Sequence, residues 1–365
     1  MIKYLGSKRT LLPAILRAVQ AVPGARTVVD LFSGTARVGH ALKAAGYRVR
    51  ANDHLAYAHL LARCYVEADR EEWARDAERL VAELNALPGR AGWFTETFCV
   101  RSRYFQPKNG ARIETIREAI ARKGLAPELE AVLLVSLMEA ADRVDSTAGL
   151  QMAYLKQWAP RAHKDLALRV PALLPRAPAG KGLATGLEAT AAATALDGDV
   201  AYLDPPYNQH SYLGNYHVWE TLARWDEPEV YGIACKRRDC RERHSPFNSR
   251  RRFRAAYAEL VAAVRAPVLI ASFSDEGFLP RAELEALLAT RGSVQVLATD
   301  YKRYVGSQIG IHDPQGRKVG TPGRLRNTEY LFVVAPAGVE LELGATVPLA
   351  PLEPPAGRAC GVAGG

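Results

Sequence analysis

Apolar residues fall into two textures along this chain. Short extended runs bounded by glycine, proline or polar turns occur at residues 27–32, 47–53, 183–188, 199–203, 267–274, 293–299 and 327–334. Such runs predict buried strands. Helical spacing fills the gaps: Leu11, Leu12, Ile15, Leu16 and Val19 share one face, with Thr10 as cap and Pro13 in the first turn. Further helices are predicted at 38–45, 54–87, 113–123, 128–143, 254–265 and 284–288. Strands and helices alternate at both ends of the chain but not between Asp53 and about Gly182, where the pattern is helical, then proline-rich and basic. The expected fold class is therefore α/β, with a mostly helical insertion.

The run at 199–203 stops at Asp204-Pro205-Pro206-Tyr207. Each proline lacks an N–H, fixes its own φ and pushes the preceding residue toward an extended conformation. A carboxylate, two carbonyls and a ring are thus held stiffly at the carboxyl end of a strand, where open α/β sheets bind ligands. Carboxylate and carbonyl oxygens only accept hydrogen bonds, so they suit an amino group, and the ring suits a planar partner. An exocyclic amine of a nucleobase meets both conditions; a strand ending in a polar turn is the plainer reading. The rings of 208–225, among them Tyr212, Tyr216, His217 and Trp219, either close over such a base or pin a loop to the core.

Residues 27–32 lead through Ser33 and Gly34 into a helix. A single Gly34 after Asp30 and Phe32 is not the spacing of dinucleotide binders and is more like the first motif of an S-adenosylmethionine site. Asp53 ends the next strand about 20 residues later, where an acid meets ribose hydroxyls. Glu188, after the third run, can reach a cofactor's adenine. Near the amino terminus, Gly6, Ser7 and Lys8 beside a helix start either receive an anion or simply begin a helix.

Charge narrows the partners. The 365 residues carry a formal net charge of +9, which points toward polyanions. Lys236, Arg237, Arg238, Arg241, Arg243, Arg250, Arg251, Arg252 and Arg254 stand against only Asp239 and Glu242, so the basic stretch 236–254 holds a net +7. It is expected to contact nucleic-acid phosphates with strong salt dependence, unless it is a solvated loop. Aromatics among basic residues at 89–110 (Trp93, Phe94, Phe98, Tyr104 and Phe105) either line a nucleic-acid surface or pin a loop. No run approaches the ~18 apolar residues of a membrane span, no signal peptide is visible, and the five scattered cysteines read as reduced thiols, so a cytoplasmic location is expected. From 335 the chain is rich in Ala, Pro and Gly and is expected to be a loose tail.

The residues Lys3-Tyr4-Leu5-Gly6-Ser7-Lys8-Arg9, Asp30-Leu31-Phe32-Ser33-Gly34, Asp53 and Asp204-Pro205-Pro206-Tyr207, in that order, resemble the D12 class of DNA adenine-N6 methyltransferases in its alpha arrangement. The resemblance implies a Rossmann-like, seven-stranded, mostly parallel methyltransferase sheet. It divides the chain into a cofactor-binding part (1–54), a helical target-recognition insertion (55–182), a catalytic part (183–334) and the tail (335–365). By the same resemblance, S-adenosylmethionine is the cofactor. Tyr4 and Lys8 lie near its methionine, Asp30, Phe32, Ser33 and Gly34 around its methionine and ribose, and Asp53 at the ribose hydroxyls. Glu188 stands where these enzymes usually have aspartate, and Asp204 completes the site. Asp204, Pro205, Pro206 and Tyr207 would act on a flipped-out adenine in duplex DNA by in-line methyl transfer without a metal, and a cognate restriction endonuclease is an implied companion. Cytosine-N4 or RNA methylation, or a non-catalytic DNA-binding role on the same fold, are the alternatives.

Overall fold

The structure, a computed structural model, describes residues 1–6, 8–302, 311–312, 318–320 and 326–343. Ser7, much of the glycine-rich stretch 301–326 and the tail beyond 343, with Cys360, lie outside the described residues. Seven strands form one sheet: β1 (Thr27–Asp30), β2 (Arg48–Asn52), β3 (Leu183–Thr185), β4 (Val200–Leu203), β5 (Val268–Ser274), β6 (Ser293–Lys302) and β7 (Arg326–Ala335). Their order is β3-β2-β1-β4-β5-β7-β6. Strands β1 to β5 pair in parallel, while β7 runs antiparallel to both β5 and β6. Parallel strands need crossovers, which cover both faces with helices and bury both sides of the central strands β4 and β5. The alternation is plain: Val28, Tyr202, Ile270 and Val333 enter one core layer, and Val29, Leu203, Leu269 and Phe332 the other. Because the chain leaves β1 toward β2 and later returns to β4 on its other side, a crevice opens at the carboxyl ends of β1 and β4.

Two helical expectations are corrected. Thr10 caps nothing: Lys8–Thr10 is a 3-10 turn, Leu11 occupies the N-cap without a side-chain bond, and the helix is Leu12–Gln20 with Pro13 in its first turn. The helix expected over 54–87 is broken into Ala56–Ala62, a π-helical turn Arg63–Glu67 and Arg70–Ala86. The cause is Asp69, fully buried and extended, whose carboxylate takes Lys43 Nζ at 2.8 Å and Arg176 Nε at 2.7 Å. A buried carboxylate must be paired, and the chain bends to pair it.

The insertion does not form a core of its own. Its helices Pro107–Arg122 and Pro127–Arg143 pack in the same layer as Val28 and Val49 of the sheet. The aromatics of 89–110 belong there too: Phe94, Phe98, Tyr104 and Phe105 are buried, and half-buried Trp93 packs on Trp225. Glu114 holds this segment by accepting from the amides of Gly92, Phe94 and Thr95. The rings pin the segment to the core, which leaves little of them for a nucleic acid. No helix among the described residues is long and apolar enough to cross a membrane, and Cys64, Cys99, Cys235 and Cys240 are free thiols.

Candidate active site

Strand β1 delivers Asp30 to the crevice, and its next residues turn sharply. Gly34 sits at φ +52°, where a side chain is strained, and a Cβ there would stand 3.4 Å from the Tyr4 ring. The Gly34 amide donates to Asp53 Oδ2 at 3.0 Å, and Asp53 Oδ1 accepts from Leu55 N at 3.0 Å, so the acid at the end of β2 braces the turn after β1. Asn52 ties the neighbouring strand ends through the carbonyls of Leu31 and Leu187. A cavity of about 260 Å³ results, with Asp30, Phe32, Ser33, Gly34, Asp53, Glu188 and Asp204 in its wall. Among the described residues, both Asp30 oxygens and Ser33 Oγ are buried without a well-formed hydrogen bond, the nearby Phe32 and Gly39 amides only partly offsetting the burial of Asp30. Burial, together with the charges of Asp204 and Asp53, pushes the Asp30 carboxyl up to about 8. Glu188 does more than face the cavity: it is the N-cap of the helix Ala189–Ala195, accepting from Thr190 N and Ala191 N.

The amino-terminal segment closes another wall. Tyr4 stacks on Tyr216 at 4.6 Å and on Tyr212 at 5.2 Å between ring centroids, and its hydroxyl meets that of Tyr57. Lys8, 8% exposed, places Nζ 3.0 Å from Asp204 Oδ1. The lysine thus meets the acid of Asp204-Pro205-Pro206-Tyr207 itself. Burial works against the Lys8 charge, but Asp204 and its neighbours overcome it and hold the lysine protonated, while burial raises the Asp204 carboxyl despite Lys8. Of the four motif residues, Asp204 and Pro206 line the cavity. Pro205 is buried, and the Tyr207 ring packs on Phe273 at 5.0 Å with Lys8 Nζ 5.6 Å from its centroid.

An acid and a proline pair at the end of β4, opposite an orphaned carboxylate at the end of β1, recur in the right order for one family. The family described as D12 class N6 adenine-specific DNA methyltransferase matches residues 4–262. The chain belongs to that family. It is similar to the type II methyltransferase M.FokI of Planomicrobium okeanokoites, with 30% identity over 324 residues, 83% of this chain and 49% of that protein. The type II methyltransferase M.NlaIII of Neisseria lactamica is 28% identical over 313 residues, 82% of this chain and 92% of that protein. The modification methylase LlaI of Lactococcus lactis subsp. lactis is 25% identical over 322 residues, 83% and 51% respectively. The chain therefore spans about half the length of M.FokI and LlaI and nearly all of M.NlaIII.

In this chain the basic stretch 236–254 is not one surface. Arg237 is buried, its guanidinium bound to both oxygens of Asp226 at 2.6 and 2.7 Å and to Asp239. Arg243 pairs with buried Glu220 and with Asp239, and lines the cavity. Arg238 pairs with Glu229, and Arg254 approaches Glu283 at 3.8 Å. Much of the +7 is thus met by acids outside the stretch, and Arg237 is a structural residue rather than a phosphate contact. Lys236 lies partly buried in a two-strand ribbon, and Arg241 covers the Tyr231 ring at 3.8 Å. Arg250, Arg251 and Arg252 begin the helix Arg250–Ala263 exposed, with no ion pair among the described residues.

The sequence reading missed part of the cavity wall. Phe247 meets Phe32 edge-on at 5.3 Å, and Asn248 Nδ2 donates to the carbonyls of Asn208 and His210, tying this wall to the loop after Tyr207. Ser245-Pro246-Phe247 does carry a signal, a serine that caps a short 3-10 turn. Of the aromatic cluster after Tyr207, Tyr212 lines the cavity, whereas Tyr216, His217 and Trp219 are buried.

Proposed function

We propose that the chain transfers a methyl group from S-adenosylmethionine to N6 of adenine in duplex DNA. The observation that carries this reading is a single cavity into which Asp204 and Pro206 open opposite the unpartnered Asp30 carboxylate. The residues present fit the cofactor: orphaned Asp30 and Ser33 oxygens suit its ammonium and hydroxyls, Asp53 and Glu188 bring further acceptors, and Phe32 with Phe247 offers an aromatic wall for adenine. When bound, S-adenosylmethionine supplies an electrophilic methyl on a sulfonium.

The chain's own task is to make a poor nucleophile attack. An adenine amine has its lone pair delocalised into the ring; accepting its two N–H bonds at the Asp204 carboxylate and the Pro205 carbonyl draws the nitrogen toward sp³ geometry and aims the lone pair. Direct in-line displacement then follows from orientation and from fixed acceptors. A base in a duplex cannot reach this cavity unless it is flipped out, and the Tyr207 ring, braced by Phe273, is its stacking partner. Target recognition falls to the insertion 55–182, and phosphate contact to the exposed Arg250, Arg251 and Arg252. The names of the relatives, type II and modification methylases, support a modification role beside a restriction endonuclease.

The test is incubation with mixed-sequence duplex DNA and methyl-labelled S-adenosylmethionine, followed by mass spectrometry of the nucleosides. N6-methyladenine is expected; labelled N4-methylcytosine would overturn the base assignment. Asp204→Ala should abolish labelling and keep DNA binding, and equal loss of both would remove Asp204 from the chemistry.

A further inference from the structure

Glu329 stands on β7, beyond the residues 4–262 that the family matches, and is not part of the cavity wall. Its backbone sits opposite Ser274 of β5 and Thr299 of β6, so the strand register fixes its position near the carboxyl end of β5. Its side chain is 13% exposed, and Oε2 is buried without a hydrogen bond. Among the described residues the cation facing it is Lys8, with Nζ 3.8 Å from Oε2 while it bonds Asp204 Oδ1 at 3.0 Å. One buried ammonium is therefore shared, unequally, by two partly buried carboxylates.

That sharing matters for the reaction. Asp204 must accept an amine N–H, and a carboxylate engaged tightly by an ammonium is a weaker acceptor. We propose that Glu329 is a positioning residue that acts through Lys8, drawing the ammonium back from Asp204 so that the carboxylate accepts the target amine. The inference rests on the reading of Asp204 as that acceptor. With all three groups ionised the cluster carries one net negative charge; with Glu329 neutral, Lys8 belongs to Asp204 alone. Among the described residues the other charged groups facing Glu329 are Asp275 and Glu276, just after β5. Burial, offset by Lys8 and reinforced by Asp204, Asp275 and Glu276, moves the Glu329 carboxyl up to about 6. Below that pH the residue is protonated and the pull on Lys8 is lost, so the rate should fall on the acid side.

The experiment measures kcat, KM and S-adenosylmethionine binding for the full chain, Glu329→Gln and Glu329→Asp from about pH 5 to about pH 8. Glu329→Gln should bind the cofactor normally, lose about tenfold in kcat with little change in KM, and show its acid limb displaced to lower pH. Glu329→Asp should recover part of the rate and the original limb. An unchanged kcat and limb in Glu329→Gln would overturn the proposal, as would loss of cofactor binding in both variants, which marks a merely structural residue. An unsubstituted chain that binds S-adenosylmethionine and labels no DNA would instead remove the functional reading, and this inference with it.

Discussion

Asp30 shows how one residue carries several consequences. A carboxyl buried with no well-formed hydrogen bond among the described residues and raised to about 8 is a cost to the fold. The sign follows from proton linkage: well below the ordinary value of 3.8, folded and unfolded chains are both protonated there and nothing is lost. As pH rises toward 8 only the unfolded chain releases the proton readily, so stability falls across that window. A ligand cation against Asp30 reverses the penalty. S-adenosylmethionine should therefore bind more tightly as pH rises from about 6 to about 8, and Asp30→Asn should bind more weakly with that slope flattened. Titration calorimetry at several pH values checks this, and a slope that survives the substitution would take Asp30 out of cofactor binding. Asp30, Gly34, Asp53 and Asp204 were legible because each ends a strand or turn whose local pattern marks it. Glu329 was not, since nothing near it in sequence says that Lys8 and Asp204 will lie beside it.

At the scale of elements, the basic stretch divides into two kinds of arginine that composition cannot distinguish. Arg237 is clamped by Asp226 and Asp239, and breaking a buried pair strands its partners; because both acids are partly exposed, the cost is put at about 2 kcal/mol, below the usual range. Arg237→Ala should lower the denaturation midpoint. The double substitution Arg251→Ala, Arg252→Ala should leave the midpoint alone, weaken DNA binding, and reduce the slope of log affinity against log salt by about 1.8 if each contacts one phosphate. Denaturant melts and salt titrations of binding make the comparison; a reversed pattern would exchange their roles. The break in the helix expected over 54–87 has the same origin, since Asp69 is satisfied by Lys43 and Arg176, one 26 residues before it and the other 107 after it. Hydrophobic periodicity reports which face is buried and is silent about distant charge partners.

For the whole molecule, the insertion and the sheet share one core layer: Phe94, Phe105, Ile113 and Leu133 pack in the cluster that holds Val28, Val49 and Tyr202. They should unfold together. Denaturation followed by tryptophan fluorescence, which samples Trp73, Trp93 and Trp158 of the insertion and Trp219 and Trp225 after β4, should coincide with that followed by far-ultraviolet circular dichroism. Two separated transitions would show that 55–182 is an independent unit.

The sequence by itself determined the α/β class, seven strands close to their observed limits, the helical insertion, and the acids at the ends of β1, β2 and β4. These are local consequences of alternating burial, of glycine and of paired prolines, and they read the same wherever the strand is placed. The tertiary structure decided the rest. It brought Tyr4 to Tyr212 and Tyr216 and Lys8 to Asp204, folded Phe247 over Phe32, turned Arg237 inward and set Glu329 behind Lys8. Except for those of Arg237, whose acids are near neighbours in sequence, these contacts join residues far apart in the chain, and their energies depend on burial and charge that exist only once the parallel sheet has assembled.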